Sequence, residues 1–516
     1  MTETSPRRLL ATLLLAVAVL LPAGQGVRAQ GEPAAESGDQ QGRRGGPGPG
    51  AQARVAAEPV PGELPAASTT THRVGDLTFT AVAGAIRLTE ERGTVLADIA
   101  QTTYRVDGAD PRRRPVTFVV NGGPGASSAW LQFGALGPWR LPLDRAAVPP
   151  STPPDLAPNP ETWLPFTDLV FLDPVGTGYS RLVATGDDVR RTFFSIDGDI
   201  EMLAATIRRW VEENRREASP KFFVGESYGG FRGPLLARKL ANDHGIGLKG
   251  LVLVSPVLDF RMRDGRNPIA AAATFPSMVA AARALDPALG DPGDLAAVER
   301  YATGDYLADL LRGPRDSTAR NRLAAEVARL TGLDPALVAR QGGRIDAGTF
   351  VSEVERRSGR IASLYDATAL GLDPSPFDEG HGSDPVLDAL RAPLTSAARE
   401  LYAGRLNWPV RRRYEVLSNQ VNRQWDWGRP LGAPQSASAL AEALAADPTL
   451  TVTVVHGRAD LVTPYMASRL VLDQIAVPEV GQRLRLEVYP GGHMFYFDAG
   501  ARAAFRDAGR RVIEGP

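Results

Sequence analysis

The sequence contains no cysteine in its 516 residues. This absence excludes thiol catalysis, cysteine-based metal sites and disulfide bonds, so core packing alone must stabilise the fold. Histidine is also scarce, with five residues in the whole chain. No two of them have the spacing of a zinc-binding helix, which argues against a metal-dependent hydrolase. We expect neither a metal nor any other cofactor.

A surplus of basic residues is absent as well. The 58 Lys and Arg residues balance 59 Asp and Glu residues, which leaves a net charge of −1. Nothing in this balance would neutralise a phosphate backbone, so we do not expect a nucleic-acid partner. The hydrophobic fraction of 43% is typical of a globular protein, and the length allows more than one structural unit.

The N-terminus has the pattern of a targeting segment. Arg7 and Arg8 precede an apolar run from Leu9 to Leu21, and the small-x-small sequence Val27-Arg28-Ala29 follows. This pattern predicts a signal peptide at residues 1–29, with an uncleaved anchor as the alternative. We therefore expect an exported protein, in a bacterial periplasm or outside the cell, without a membrane span after cleavage.

Residues 30–68 form a second distinct stretch. They are rich in Gly, Pro, Ala, Gln and Arg and contain almost no large apolar residue. Such a composition does not provide a core, so we interpret this stretch as a disordered leader.

The remaining chain predicts an α/β fold. Short apolar or alternating runs indicate strands at residues 77–82, 94–106, 116–120, 168–172, 222–224, 250–254, 450–455 and 484–488. Helical periodicity between two of these strands, from a predicted cap at Ser195, indicates a βαβ crossover and hence a parallel sheet. We expect a mostly parallel central sheet flanked by helices.

The strand pattern is interrupted in the middle of the chain. Residues 69–255 and 446–516 carry the strands and would form one catalytic domain. Residues 256–445 are mainly helical in pattern, and we interpret them as a cap inserted over the sheet.

The most informative stretch is Gly225-Glu226-Ser227-Tyr228-Gly229, which fits Gly-x-Ser-x-Gly. It lies between a short apolar strand and a helical segment, the context of a nucleophile elbow. A serine hydroxyl is a weak nucleophile and must be accessible to a base, and the strained turn requires small neighbours. Ser227 is therefore the candidate nucleophile, although an ordinary glycine-rich turn would give the same short match.

A second glycine-rich loop, Asn121-Gly-Gly-Pro-Gly125, follows the strand at 116–120. Acyl transfer develops negative charge on a carbonyl oxygen, which a pair of backbone N–H groups can hold. The elbow pattern predicts one donor from Tyr228 and another from an early strand–helix loop. Gly123 is our candidate for the second donor.

The order Ser, acid, His of the α/β-hydrolase arrangement selects the remaining members of a triad. His493 is the only histidine after the last predicted strand, and Asp460 follows the preceding strand. Asp460 would orient the imidazole and stabilise its charged form. We interpret His456 as a packed core residue, His72 lies beside the predicted leader, and we expect His244 and His381 in polar loops.

These motifs together resemble the serine carboxypeptidase family, α/β-hydrolase peptidases that remove C-terminal residues. The resemblance rests on Asn121-Gly-Gly-Pro-Gly-Ala-Ser-Ser128, Asp173-Pro-Val-Gly-Thr-Gly-Tyr-Ser180, Gly225-Glu-Ser-Tyr-Gly-Gly230, Gly457-Arg-Ala-Asp460 and Gly491-Gly-His493. It implies the same triad and oxyanion donors, and peptide substrates with a free C-terminus. It further implies that Asn121 and Glu226 hold the terminal carboxylate, which requires Glu226 to be protonated because two carboxylates in contact repel each other.

The sequence departs from the family pattern at two positions. Ala135 precedes Leu136-Gly137-Pro138 where many relatives have a second glutamate, and Ala126 stands where a cysteine is common. The first departure weakens the case for selectivity toward a free C-terminus. An esterase or acyltransferase on the same scaffold is therefore an alternative, and a non-catalytic binding protein is a further one.

Overall fold

The computed structural model describes residues 63–90, 92–142, 149–151, 155–376, 384–428 and 432–515. The predicted signal peptide, most of the predicted leader and His381 lie outside these residues.

A large sheet forms the centre of the described chain. Its main strands are β1 (Ser68–Val74), β2 (Leu77–Thr89), β3 (Val95–Val106), β4 (Val116–Val120), β5 (Asp168–Leu172), β6 (Lys221–Glu226), β7 (Gly250–Val254), β8 (Thr451–Gly457) and β9 (Leu484–Tyr489). Their order is β1-β2-β3-β5-β4-β6-β7-β8-β9, and a short strand, Arg181–Leu182, also pairs with β3. The six strands from β5 to β9 in this order are parallel, whereas β1, β2 and β3 pair antiparallel.

The strand sequences explain which strands lie at the centre. Every residue of β4, β5, β6 and β7 is buried, because a parallel strand covered on both faces can be apolar throughout. Phe222 and Val224 pack into the core on one face, and Phe223 packs into the core on the other. The edge strand β1 instead alternates between half-buried and exposed residues.

Within the part of the chain that the structure describes, eight helices have at least eight residues. They are α1 (Ile196–Glu213), α2 (Tyr228–His244), α3 (Pro268–Leu285), α4 (Ser317–Thr331), α5 (Leu387–Glu400), α6 (Ala437–Ala446), α7 (Tyr465–Leu472) and α8 (Ala499–Glu514). The side chain of Ser195 accepts a hydrogen bond from the N–H of Gly198, so the predicted cap begins α1. The strand order, with α1 and α2 alternating with β5, β6 and β7, is that of the α/β-hydrolase fold, as predicted.

The region between β7 and β8 contains α3 to α6 and several shorter helices. These shorter segments are Ala296–Tyr301, Leu307–Arg312, Pro335–Arg340, Ala347–Glu353 and Asn419–Gln424, with a strand pair at Arg360–Ala362 and Leu370–Leu372. Part of the region has its own core around Phe275, Tyr306 and Phe350. Another part, which includes Leu394 and Trp408, packs into the core of the central sheet.

One helix in the described residues, α3, is long and apolar enough to cross a membrane by length and composition. About 61% of its apolar window is buried inside the protein, as is typical of a core helix.

Candidate active site

Ser227 lies at the sharp turn between β6 and α2. Its φ of 60° and ψ of −119° are strained for a residue with a side chain. A β-carbon on Gly225 would lie 2.1 Å from the carbonyl oxygen of Gly229, and one on Gly229 would lie 2.7 Å from that of Val120. Both glycines are therefore required for close backbone packing around the turn. The hydroxyl of Ser227 does not cap α2, so it is available to a base.

Asp460 and His493 form a buried hydrogen-bonded pair on the loops after β8 and β9. His493 Nδ1 lies 2.7 Å from Asp460 Oδ2. The other carboxylate oxygen of Asp460 accepts hydrogen bonds from the N–H groups of Val462 and Thr463, at 2.8 and 2.9 Å. Asp460 is thus fixed by its own loop, and it in turn orients the imidazole with Nε2 directed away from the carboxylate.

The charge on His493 is favoured despite burial. Burial disfavours the charged imidazolium form of His493, but the adjacent Asp460 carboxylate, together with Glu226, favours that form more strongly. The pKa of His493 is therefore raised above 6.5. Ser227 and His493 line the same cavity, although no hydrogen bond joins their side chains within the described residues. Such contacts are often long in unliganded enzymes and tighten when substrate binds.

Ser255 connects the two loops that carry the acid and the base. It has a φ of 43° directly after β7, its hydroxyl donates to the carbonyl of His493 at 2.8 Å, and its own carbonyl accepts from the hydroxyl of Thr463 at 2.9 Å. Thr463 Oγ1 also lies 2.7 Å from Asp460 Oδ2, so its single proton is shared between these two acceptors. Ser255 and Thr463 therefore fix the positions of Asp460 and His493 relative to each other.

The glycine-rich loop after β4 lies directly against the turn at Ser227. A β-carbon on Gly122 would lie 2.5 Å from the backbone nitrogen of Tyr228 and 2.9 Å from Cβ of Ser227. The N–H of Tyr228 is in the first turn of α2, where it has no acceptor within the helix. Gly123, with a φ of 100°, adopts a backbone conformation that glycine accommodates best. The two predicted oxyanion donors thus lie on adjoining backbone segments.

A buried ion pair between α1 and α2 contacts both of these backbone segments. Arg232 in α2 is fully buried, and its guanidinium forms two hydrogen bonds with Asp199 in α1, at 2.7 and 3.0 Å. It also donates to the backbone carbonyl of Asn121 at 2.6 Å and lies 4.7 Å from the ring centre of Tyr228. One side chain therefore contacts both segments that carry the predicted oxyanion donors.

Glu226 is the second buried carboxyl group of the site. The hydroxyl of Tyr496 donates to its Oε2 at 2.7 Å, and the side chain of Asn121 lies close enough to favour the ionised form of the carboxyl group. Burial raises the pKa of Glu226 to about 7, although His493, Tyr496 and Asn121 act in the opposite direction. At mildly acidic pH, Glu226 is therefore mostly neutral and able to donate a hydrogen bond.

These groups surround one cavity of about 300 Å³. Ser227, His493, Glu226, Asn121 and Gly123 line it. The region between β7 and β8 contributes part of the wall, namely Phe260, Arg263, Tyr365, Leu387, Leu417, Asn422 and Trp427.

Among the described residues that line the cavity, Arg263 is the one with a permanent positive charge. It is exposed, and within the described residues it forms no ion pair, whereas nearby Arg261 is bound to the carboxylate of Asp259. A substrate anion in the cavity would therefore meet an unpaired guanidinium.

The structure places the seven residues predicted for the site in or directly around this cavity. It also places His456 fully buried, with its Nε2 2.8 Å from the hydroxyl of Ser468, and His72 in β1, away from the cavity lining. Among the described residues, no group of three or more His, Cys, Asp and Glu side chains could hold a metal ion.

Four residues that position the site through hydrogen bonds were not predicted from the sequence, namely Tyr496, Arg232, Ser255 and Thr463. Thr463 could have been found from its position three residues after Asp460, the spacing of a local hydrogen bond to a carboxylate. The other three act over long separations in the chain, for which the sequence contains no signal.

Comparison with known proteins relates part of the chain to a family. Residues 101–271 match the family model described as serine carboxypeptidase. This segment includes Asn121 and Ser227 but ends before Asp460, His493 and Tyr496.

Curated relatives and solved structures show similarities of limited extent. Serine carboxypeptidase-like 50 of Arabidopsis thaliana is 33% identical over 28% of this chain and 31% of that protein, and serine carboxypeptidase-like 5 is 29% identical over 29% and 34%. The chain thus matches about a third of the length of these relatives. Proline iminopeptidase of Mycobacterium smegmatis aligns over 87% of this chain and 99% of that chain, with 16% identity and a TM-score of 0.37. Similarity at that level adds nothing to the description of the site.

Proposed function

We propose that the protein is a serine carboxypeptidase that releases C-terminal residues from peptides through an acyl-enzyme on Ser227. One observation carries this proposal: a single cavity combines Ser227 and the Asp460–His493 pair with a buried, protonatable Glu226. The first three groups perform acyl transfer, and the last gives the cavity a means of recognising a free carboxylate. The family match over residues 101–271 supports the same conclusion.

Acylation begins with the oxygen of Ser227. Its Oγ attacks the scissile carbonyl carbon while His493 Nε2 takes the hydroxyl proton. The charge that develops on the carbonyl oxygen is held by the N–H groups of Gly123 and Tyr228. When the C–N bond breaks, His493 returns the proton to the leaving amine, and the peptide remains as an ester on Ser227.

Deacylation repeats these steps with water. His493 takes a proton from the water as its oxygen attacks the ester carbonyl, and the same N–H groups hold the second oxyanion. Breakage of the ester bond returns the proton to Ser227 Oγ. Asp460 remains ionised throughout and stabilises the imidazolium form of His493.

Substrate selection depends on Asn121 and Glu226. The side-chain oxygen of Asn121 accepts from the N–H of Leu131 at 3.1 Å, which fixes the orientation of its amide. Asn121 lines the cavity together with Glu226, and its amide group can donate a hydrogen bond to a terminal carboxylate there. Protonated Glu226 donates a second hydrogen bond to the same carboxylate, so recognition weakens as pH rises through about 7.

A peptide ladder tests the proposal. We would incubate the protein at mildly acidic pH with a short peptide that has a free C-terminus and follow the products by mass spectrometry. The expected products lack one or more C-terminal residues and retain the N-terminus, and Ser227→Ala gives none of them. Internal cleavage would contradict the proposal, as would hydrolysis of esters without any hydrolysis of peptides.

We further propose that the protein is exported and that residues 1–29 are removed. Arg7, Arg8, the apolar run to Leu21 and the small residues at 27 and 29 support this proposal. Sequencing the N-terminus of protein from the culture medium or the periplasm should give a chain that starts at Gln30. Recovery of the uncleaved chain from membranes would instead indicate an anchor.

A further inference from the structure

Two small residues precede Leu136, and the first of them lies against the ring of Tyr496. Gly134 and Ala135 lie in a turn of π-helix at Gln132–Leu136, and both are buried. A β-carbon on Gly134 would lie 2.5 Å from Cε2 of Tyr496. The fully buried ring of Tyr496 therefore fills the space that a side chain at position 134 would need.

The hydroxyl of the same tyrosine is directed to the carboxyl group of Glu226. It donates to Oε2 at 2.7 Å, across 270 positions of the chain. Ala135 leaves no carboxyl group at the position where the family pattern has a second glutamate. Among the described residues, the Asn121 side chain is the other uncharged group that favours the ionised form of Glu226.

We propose that Tyr496 takes the place of a second carboxyl group beside Glu226. As a positioning residue, it holds the Glu226 carboxyl toward the cavity and sets the pH range over which the cavity accepts a free carboxylate. This inference rests on the proposed function for its effect on substrates, but the contact between Tyr496 and Glu226 does not.

The charges around Glu226 determine the direction of the effect. Glu226 faces His493, which favours its ionised form, and Asp460, which disfavours it, while the hydrogen bond from Tyr496 and the nearby Asn121 side chain favour the ionised form. Burial and the neighbouring Glu226 raise the pKa of the Tyr496 hydroxyl well above its usual value, so this hydroxyl remains a donor throughout the working range. A carboxyl neighbour would lose its own proton in acid solution, whereas a phenol does not.

Tyr496→Phe removes the hydroxyl and retains the ring that fills the space at Gly134. We would measure kcat/KM for a blocked dipeptide with a free C-terminus and for its methyl ester, and follow the ratio of the two with pH. Both reactions need neutral His493, so the ratio isolates the protonation of Glu226. Loss of a hydrogen bond to the ionised carboxylate destabilises that form, and we expect the midpoint of the ratio to move upward by about one pH unit.

Tyr489→Phe is a matched control. The hydroxyl of Tyr489 also donates to a glutamate, Glu487, but neither residue lines the cavity. This variant should leave the midpoint unchanged. A midpoint that stays in place or moves downward in Tyr496→Phe would overturn the inference.

A second readout does not require activity. In protein labelled with carbon-13 at the glutamate carboxyl carbon, the signal lost in Glu226→Gln identifies Glu226, and its titration midpoint should also move upward in Tyr496→Phe. If this midpoint moves but no free-acid substrate is cleaved, the proposed function fails and the role of Tyr496 stands. If the NMR midpoint does not move, the role of Tyr496 fails whatever the substrate proves to be.

Discussion

Two walls of the cavity around Ser227 differ in how the carboxyl group of each is stabilised. The base wall consists of His493, which lines the cavity, and of Asp460 and Thr463, which support it; the Asp460 carboxyl group is hydrogen-bonded to His493 and also accepts hydrogen bonds from its own loop. The carboxylate wall, formed by Asn121, Glu226 and Tyr496, holds a buried carboxyl group that is mostly neutral below a pH of about 7. Under the proposed function, the base wall would serve any acyl transfer, whereas the carboxylate wall would restrict which substrates are used.

Under the proposed function, the base wall determines the rate of acyl transfer, and the carboxylate wall determines the selectivity for a free C-terminus. A change in the base wall should lower turnover of free acids, amides and esters alike. A change in the carboxylate wall should alter the ratio between free acids and esters with little effect on esters themselves. Substitutions that separate these outcomes test whether the division is real.

The largest expected effect belongs to the nucleophile that both walls share. Ser227→Ala should lower kcat by about 10⁶ for every substrate, since no covalent intermediate can form. The measurement is kcat on a free acid and its ester, with the concentration of intact sites in the wild type determined by a fluorophosphonate probe. A variant that retains a near-normal rate on either substrate would refute the assignment of Ser227.

Arg232 contacts the segments behind both oxyanion donors, so its effect should also be independent of substrate. Arg232→Lys keeps the charge but loses the planar fork that binds Asp199 and the Asn121 carbonyl together. A displacement of the donors by about 1 Å should lower kcat about 10²-fold, with KM changed far less.

The matched control for this variant is Arg216→Lys. Arg216 is also buried and paired, with Asp168 at 2.7 Å, but it lies away from the cavity. Both variants should lower the temperature of unfolding, and only Arg232→Lys should lower kcat per titrated site. Equal kcat in the two variants would show that Arg232 serves stability alone.

The smallest expected effect concerns Arg263, which neither wall includes. A substrate with glutamate next to the scissile bond should gain about 2- to 5-fold in kcat/KM over the glutamine analogue, because an exposed ion pair contributes up to about 1 kcal/mol. Arg263→Gln should abolish this preference. The control variant is Arg266→Gln, at a residue that lines only the neighbouring cavity, and it should retain the preference for glutamate. If neither variant changes this preference, Arg263 does not take part in substrate binding.

The two walls also differ in how far the sequence predicts them. The strands Val116–Val120, Asp168–Leu172 and Gly250–Val254 have the predicted bounds, because buried parallel strands appear as continuous apolar runs. These runs and their order predicted a mostly parallel sheet, and the nucleophile elbow with the order Ser, acid, His predicted the α/β-hydrolase fold, which the sheet topology confirms. The base wall follows the strand ends, so Asp460 and His493 could be proposed from motif and order alone, and their catalytic roles stay predictions.

The carboxylate wall depends on contacts that the sequence does not reveal. Tyr496 lies in the aromatic run Phe495-Tyr496-Phe497, which as a sequence is typical of core packing. Only the folded chain brings its hydroxyl to Glu226 and its ring against Gly134, because these contacts depend on how α8 and its preceding turn pack on the sheet. The absence of a glutamate at Ala135 was visible in the sequence, but its replacement by a tyrosine was not.

Carboxylate recognition by Asn121 and Glu226 is tested most directly with a pair of blocked dipeptides, one with a free C-terminus and one with a C-terminal amide. The measured quantity is the ratio of kcat/KM for the free acid to kcat/KM for the amide. We would measure this ratio between about pH 5.5 and about pH 8.5, because that range spans the protonation of Glu226. Carboxylate recognition by Asn121 and Glu226 predicts a preference for the free acid of at least about 10-fold at the acidic end, from two hydrogen bonds to the carboxylate, and a decline as pH rises through about 7. A ratio near one at every pH, or one that rises with pH, would contradict carboxylate recognition by Asn121 and Glu226.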